Sequence, residues 1–263
     1  MSSDAVGVEK KTAVVIGYGR FGALLVELLK DSFEFSVIPG KEVTLPKNVK
    51  KTTVESVGEY DFVFPTVPIA AFEDTIVEIK PFLKANQTIV DVCSVKVFPA
   101  RIMEKHLLEL NLIATHPLFG PDSAKQGLDG LKVAFAPLRC DEPNANYLRL
   151  AWESIGVQVI DTTPEEHDRD TSYSQAFTYS VARIVLNMNL PEVRFDTRSF
   201  QSISRVAQYS ANDSDQLFHD MMFYNPYFPD MLKQLEASWL DTLATLETIN
   251  DEPRPDELAG EFV

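Results

Sequence analysis

The strongest constraint on this chain is a change of pattern near residue 164. Up to that point short apolar runs alternate with amphipathic segments. TAVVIGYG, FEFSVIP, YDFVFPTVP, QTIVDVCS, LNLIATHP, LKVAFAP and VQVIDTT read as strands. FGALLVELLK, IAAFEDTIVEIKPFL, PARIMEKHLLEL and NYLRLAWESIG read as helices. Strands alternating with helices predict a parallel, doubly wound sheet. Runs such as VVIG and FVF suit strands covered on both faces. After Pro164 the pattern is helical only. EEHDRDTSYSQAFTYSVARIVLNM reads as one long helix with proline at its first turn. SFQSISRVAQYSA and SDQLFHDMMFY predict shorter helices. MLKQLEASWLDTLATLETI places Met231, Leu235, Trp239 and Leu243 at four-residue spacing.

Gly17-Tyr18-Gly19-Arg20-Phe21-Gly22 sits between the first predicted strand and helix. In such a turn the first glycine permits the tight bend. The second lets backbone approach a pyrophosphate, and the third lets helix pack on strand. The helix N-terminus then offers unpaired N–H groups to phosphates. The strand–turn–helix context predicts dinucleotide binding, the alternative being a plain glycine-rich turn. Thr66, at the end of the third predicted strand, joins these six as a cofactor candidate. An acid for the ribose hydroxyls is expected about 20 residues on. Ile38-Pro39-Gly40 stand there instead, followed by Lys41. A missing carboxylate beside a cation favours NADP over NAD; the alternative is a solvated loop lysine. The expected fold is therefore α/β: a Rossmann-type domain over 1–164, an all-helical domain over 165–250, and an acidic, disordered tail over 251–263.

Charge narrows the partners. The formal net charge is −15, of which −5 falls in residues 1–165 and −10 in 166–263. Nucleic acid and anionic membranes call for basic surfaces. No apolar run approaches the roughly 20 residues of a membrane span. The polar MSSDAVGVEKK start lacks a signal-peptide core. Cys93 and Cys140 have no metal or disulfide spacing, and the four histidines are scattered. A cytoplasmic, reduced protein is expected.

Two strand ends carry unusual polar chemistry. DVCSVKVFP holds Asp91, Ser94 and Lys96. ATHPLFGPDSAKQG places His116 before a Pro- and Gly-rich loop. Ligands bind beyond the carboxyl ends of strands in open α/β sheets. By position alone His116 is either catalytic or a structural loop residue.

VVIGYGRFG, DVCSVKVFP, THPLFGPDSAKQG, EEHDRDTSYSQAFTYSVARIV and ISRVAQYSANDSDQLFHDMMFYN together resemble the prephenate/arogenate dehydrogenase family of tyrosine biosynthesis. The plant-type arogenate dehydrogenases are most similar. The resemblance implies oxidative decarboxylation: hydride leaves C4 of a cyclohexadienyl ring for a nicotinamide while the ring carboxylate departs as CO₂. It implies that His116 bonds the C4 hydroxyl and draws off its proton, and that Ser94 orients His116 and touches the hydroxyl. It points to Arg205 as ligand of a substrate carboxylate, with Arg198 a weaker candidate. A guanidinium suits a carboxylate because it can bind bidentately. Gln175, Thr178 and Tyr179 would face the substrate. Tyr179 departs from the histidine that most relatives carry. His167 reads as structural, His219 as a surface or interface residue, and Asp122 as a cleft-mouth or turn residue.

The resemblance also bears on the substrate. An acid that plant-type relatives carry after the LKVAFAP strand is Ala136 here, so no carboxylate would meet the ammonium of arogenate. Prephenate, giving 4-hydroxyphenylpyruvate, is favoured, with arogenate the alternative. Relatives dimerise through the helical region, and MMFYNPYF and the Trp239 helix read as interface. No chorismate mutase segment or ACT-type domain is expected, so any tyrosine feedback would act as product competition. A β-hydroxyacid dehydrogenase would use a lysine in the helical part, where only Lys233 stands. A catalytically silent cofactor-binding sensor would have lost Ser94 or His116; both are present.

Overall fold

A computed structural model describes residues 10–47 and 49–252. The predicted alternation is realised as one eight-stranded sheet: β1 (Lys11–Ile16), β2 (Phe33–Ile38), β3 (Lys50–Lys51), β4 (Phe62–Pro65), β5 (Thr88–Asp91), β6 (Asn111–Pro117), β7 (Lys132–Arg139) and β8 (Gln158–Asp161). The strand order is β3-β2-β1-β4-β5-β6-β7-β8. The order reverses between β1 and β4, which makes the crevice beyond their carboxyl ends the natural ligand site.

The helices of this half are α1 (Arg20–Leu29), α2 (Phe72–Ile79), α3 (Val97–His106), the single turn α4 (Pro121–Ala124) and α5 (Glu142–Glu153). They cover both faces, as the continuous apolar strands require. Leu25, Val26 and Leu29 of α1 pack with Leu148, Ala151 and Trp152 of α5 on one face. Ile76 and Ile79 of α2 pack with Ile102 and Met103 of α3 on the other.

One expectation is corrected. The sheet is not parallel throughout: β7 runs antiparallel to β6, with His116 opposite Ala134 and Ala114 opposite Ala136. A parallel return needs a crossover of a dozen or more residues, usually a helix. The 118–131 connection contains only the one-turn α4 and is held by its own turns, so the chain folds straight back. The two-residue β3 was also not foreseen.

Beyond β8 the chain is helical: α6 (Pro164–Thr171), α7 (Phe177–Asn187), α8 (Arg198–Ala211), α9 (Asp215–Phe223) and α10 (Phe228–Asp251). Thr163 and Glu166 form a capping box at the start of α6. The predicted long helix is interrupted by a π turn over Ser172–Ala176, which joins α6 to α7. Of α10, only Met231 is fully buried. Leu232, Trp239, Leu240, Leu243, Leu246 and Ile249 are exposed. Met221 and Met222, expected at an interface, lie in the core, whereas Phe223 is exposed. Asp251 closes α10, and the tail from residue 253 lies outside the described residues.

A buried ion pair ties the middle of the sheet. Lys96 Nζ pairs with the Asp91 carboxylate and donates to Thr115 O at 2.5 Å. Both side chains are fully buried. Asp91 also accepts from Cys93 N at 2.7 Å, and Thr115 Oγ1 donates to Asp91 O at 2.7 Å. Burial pushes the Asp91 carboxyl up, while the Lys96 ammonium pulls it down. Removing one partner of such a pair strands the other charge. Lys96→Met should therefore lower stability by about 3–5 kcal/mol in urea denaturation. A loss under about 1 kcal/mol would mean that this pair holds no uncompensated charge when broken.

Candidate active site

The loops after β1, β4, β5 and β6 lie in adjacent strand positions along one sheet edge. At about 4.8 Å per strand they span about 14 Å. The first three carry, in order, the glycine motif, Thr66 and Ser94, and His116 stands at the end of β6 itself.

Gly17 follows β1 with φ +90°, a region that favours glycine. Its N–H donates to Ile38 O at 2.8 Å, tying the turn to the end of β2. Thr66 closes the other side: its hydroxyl donates to Gly17 O at 2.6 Å and its N–H to Ile16 O at 2.8 Å. A Cβ on Gly22 would stand 2.6 Å from Gly17 O and 2.7 Å from Thr66 Oγ1, so the turn closes only over glycine. A Cβ on Gly19 would meet nothing within 4 Å, leaving that side open. The first turn of α1 holds no acid, and Gly19 supplies no side-chain cap. The cradle thus has the backbone donors and the free space that a pyrophosphate needs.

The other cofactor candidates divide. Tyr18 and Phe21 pack against the core. Arg20 is half exposed and ion-paired with Asp122 at 2.6 Å, and it donates to Asn212 O at 3.0 Å. Asp213 lies 3.9 Å from the same guanidinium. Arg20 therefore joins the glycine loop both to α4 and to the helical half. Lys41 is exposed. A cavity of about 430 Å³ beyond β2 is lined by Ile38, Pro39, Lys51 and Thr52, and also by Glu55.

His116 is the penultimate residue of β6 and is 4% exposed. Its Nδ1 lies 2.9 Å from Nε2 of His167 on α6. His167 Nδ1 lies 2.8 Å from Asp168 Oδ1. Asp168, fully buried, accepts from the Lys96 N–H at 2.6 Å and the Val97 N–H at 2.8 Å. It thereby caps α3, which has no side-chain cap of its own at Lys96. Asn225 Nδ2 fixes the Asp168 carbonyl at 2.8 Å. Burial, then the neighbouring His167 and Lys96, holds His116 well below the ordinary histidine range. His167 is lowered too, chiefly by burial, against the pull of Asp168. A neutral imidazole at a strand end can accept a proton.

Ser94 sits in the bend after β5, partly buried, and makes no hydrogen bond to His116; that bond comes from His167. The sequence missed His167 in this role, because a histidine one turn into a capped helix reads as structural. Gln175 lies in the π turn, a feature frequent at functional sites. Thr178 is exposed, its hydroxyl bonded to Ser174 O at 2.6 Å. The Tyr179 hydroxyl is engaged by Asp213, which together with burial pushes it up. Arg205 is exposed on α8, and its guanidinium has no ion-pair, hydrogen-bond or aromatic partner among the described residues; the same holds for Arg198. His219 is exposed, as expected. Ala136 is buried in the sheet and brings no ionisable group there.

Residues 29–161, half of the chain, match the nucleotide-binding domain of prephenate dehydrogenase. The chain belongs to the prephenate dehydrogenase family. Residues 184–253 match a TYRAAT1-like C-terminal domain. The chain is 25% identical over 240 residues to arogenate dehydrogenase 1, chloroplastic, of Arabidopsis thaliana, covering 86% of this chain and 37% of that protein. It is 27% identical over 258 residues to a probable arogenate/prephenate dehydrogenase of Methanocaldococcus jannaschii, covering 90% and 56%. The chain thus spans about half the length, or less, of these relatives. In fold it is similar to a prephenate dehydrogenase from A. aeolicus solved with hydroxyphenyl propionate and NAD+, at TM-score 0.70, 18% identity and 92% coverage of each chain. No helix among the described residues is long and apolar enough to cross a membrane.

Gly22→Ala must displace either the Gly17 carbonyl or Thr66. It should weaken reduced-dinucleotide binding, read by fluorescence titration, by about tenfold or more. An unchanged dissociation constant would remove this turn from the cofactor site.

Proposed function

We propose that the chain catalyses oxidative decarboxylation of prephenate to 4-hydroxyphenylpyruvate, with NADP used in preference to NAD. The reading is carried by His116, a buried, neutral imidazole at the strand edge that also bears the dinucleotide cradle. The bound dinucleotide supplies a nicotinamide that accepts the hydride from C4. Gly17, Gly19 and Gly22 with Thr66 would hold it, and Arg20 stands at the start of α1 beside them. His116 accepts a hydrogen bond from the C4 hydroxyl and draws its proton away as the C4–H bond breaks. The C1–carboxylate bond then yields its electron pair to the ring and releases CO₂. The ring becomes aromatic, and the oxygen recovers its proton to leave as a phenol. No proton is gained or lost overall. Ser94, one strand away from His116, is a second group for the hydroxyl.

One observation supports an anionic substrate. Arg205 and Arg198 stand two turns apart on α8 with no ion partner among the described residues. Prephenate rather than arogenate fits Ala136, which offers an ammonium group no carboxylate. NADP fits the absence of an acid at the end of β2 and the two lysines near it, Lys41 and Lys51, although Glu55 shares the Lys51 cavity.

The decisive measurement is kcat/KM over the four pairs of prephenate or arogenate with NADP or NAD. Prephenate with NADP should lead; turnover of neither substrate would sink the reading. His116→Asn should cut kcat by about 10²–10⁴ and leave dinucleotide binding intact. Arg205→Ala should chiefly raise KM. Because the lowered His116 loses its neutral form only as pH falls through its own shifted value, the acid limb of kcat should lie below pH 6.5.

We also infer a homodimer through the helical half, where α10 leaves six large apolar side chains exposed. Sedimentation should give twice the 29.5 kDa chain mass, and Leu240→Glu with Leu246→Glu should yield monomer. A monomeric wild type would remove the dimer.

A further inference from the structure

We propose that Asp168 and His167 act as a positioning pair that fixes which ring nitrogen of His116 carries the proton, leaving Nε2 bare to accept the substrate hydroxyl. The assignment follows from counting donors. Both Asp168 oxygens accept from main-chain N–H groups, at Lys96 and Val97, so the carboxylate has acceptor capacity only. His167 Nδ1, 2.8 Å from Asp168 Oδ1, must therefore carry a hydrogen. A neutral imidazole has one N–H, so His167 Nε2 is an acceptor. His116 Nδ1, 2.9 Å away, must then be the donor. The opposite arrangement would set two N–H groups, or two lone pairs, against each other in a buried site.

The same carboxylate does a second thing. Its bonds to the Lys96 and Val97 N–H groups hold the end of the bend that carries Ser94. Asn225, between α9 and α10, holds Asp168 in turn. One residue of the helical half thus sets the geometry of both candidates on the sheet edge. When His116 takes the proton, the new cation faces the Lys96 ammonium, which opposes it. Asp168 favours it through the two-histidine chain. His167 touches neither the reacting atoms nor the dinucleotide in this scheme; it acts through His116.

This inference rests on reading His116 as the base, and its test separates the two. Two-bond ¹H–¹⁵N spectra of histidine-labelled protein report tautomers directly, and four histidines can be assigned by single variants. Both His116 and His167 should appear as the Nδ1–H form. His116 as Nε2–H would overturn the proposal, whatever the enzyme turns over. His167→Leu removes the acceptor and should lower kcat about 100-fold with KM within about twofold. His167→Gln, whose carbonyl can accept from His116 Nδ1, should recover kcat to within about tenfold of wild type and keep the His116 tautomer. Wild-type kcat in His167→Leu would also overturn the proposal. If that variant does not fold, the wild-type tautomer decides. If wild type turns over neither substrate, the proposed activity falls while the tautomer measurement still judges the pair.

Discussion

The carboxylate of Asp168 is the contact on which the site depends. It reaches across 72 residues of sequence to the first N–H groups of α3. A helix start has unsatisfied donors that need an acceptor, and α3 begins in a buried loop where water cannot serve. The sequence DVCSVKVFP offers no usable local cap at Lys96. The acceptor therefore comes from the helical half, and with it comes His167. Folding that half onto the sheet thus also brings His167 against His116.

The Asp91–Lys96 pair gives this contact something rigid to hold. Lys96 is clamped by Asp91 and by the Thr115 carbonyl, one residue before His116. The bend after β5 is thus pinned from two sides: by side chain to the sheet and by main chain to α6. Each pairing satisfies a group that burial would otherwise leave costly. A buried network of this kind fixes geometry when every member is satisfied. That suits the proposed reading, in which a small displacement of His116 would be costly to rate.

How far this was legible in the sequence follows from the range of each interaction. Apolar runs revealed the strands, because burial on both faces leaves a local mark. GYGRFG revealed its turn, because a close approach admits only glycine at position 22. His116 stood out by its place at a strand end. The reversal of β7 was less visible: its signal was the lack of a helical period across 118–131, a negative feature. The π turn at 172–176 left no recognisable pattern. His167 and Asp168 were hidden for a different reason. They sit in EEHDR, a polar first turn that any exposed helix could carry, and only packing against α3 shows what they bind. The α10 stripe shows the converse limit. Its period was plain, yet period alone says that a face is apolar and not what covers it.

Charge gives the remaining step. A chain at net −15 surrounds its few cations with carboxylates, and most of those in the helical half are taken. Arg183 pairs with Asp215 and Lys233 with Asp230, while Arg169 lies over the Tyr227 ring and Arg194 over Phe195. On the cofactor side Arg20 is held by Asp122. Against that background two guanidiniums on one helix with no partner among the described residues are conspicuous. An exposed arginine in an acidic protein gains by finding a carboxylate, and here many are available. That Arg198 and Arg205 take none among the described residues suits the anion site proposed for them, since an internal partner would have to be displaced before a ligand could bind. The dinucleotide makes no such demand, because backbone N–H groups can serve its phosphates. A net negative charge is thus compatible with the small dicarboxylate proposed as substrate, provided the cations that meet it are kept apart from the rest.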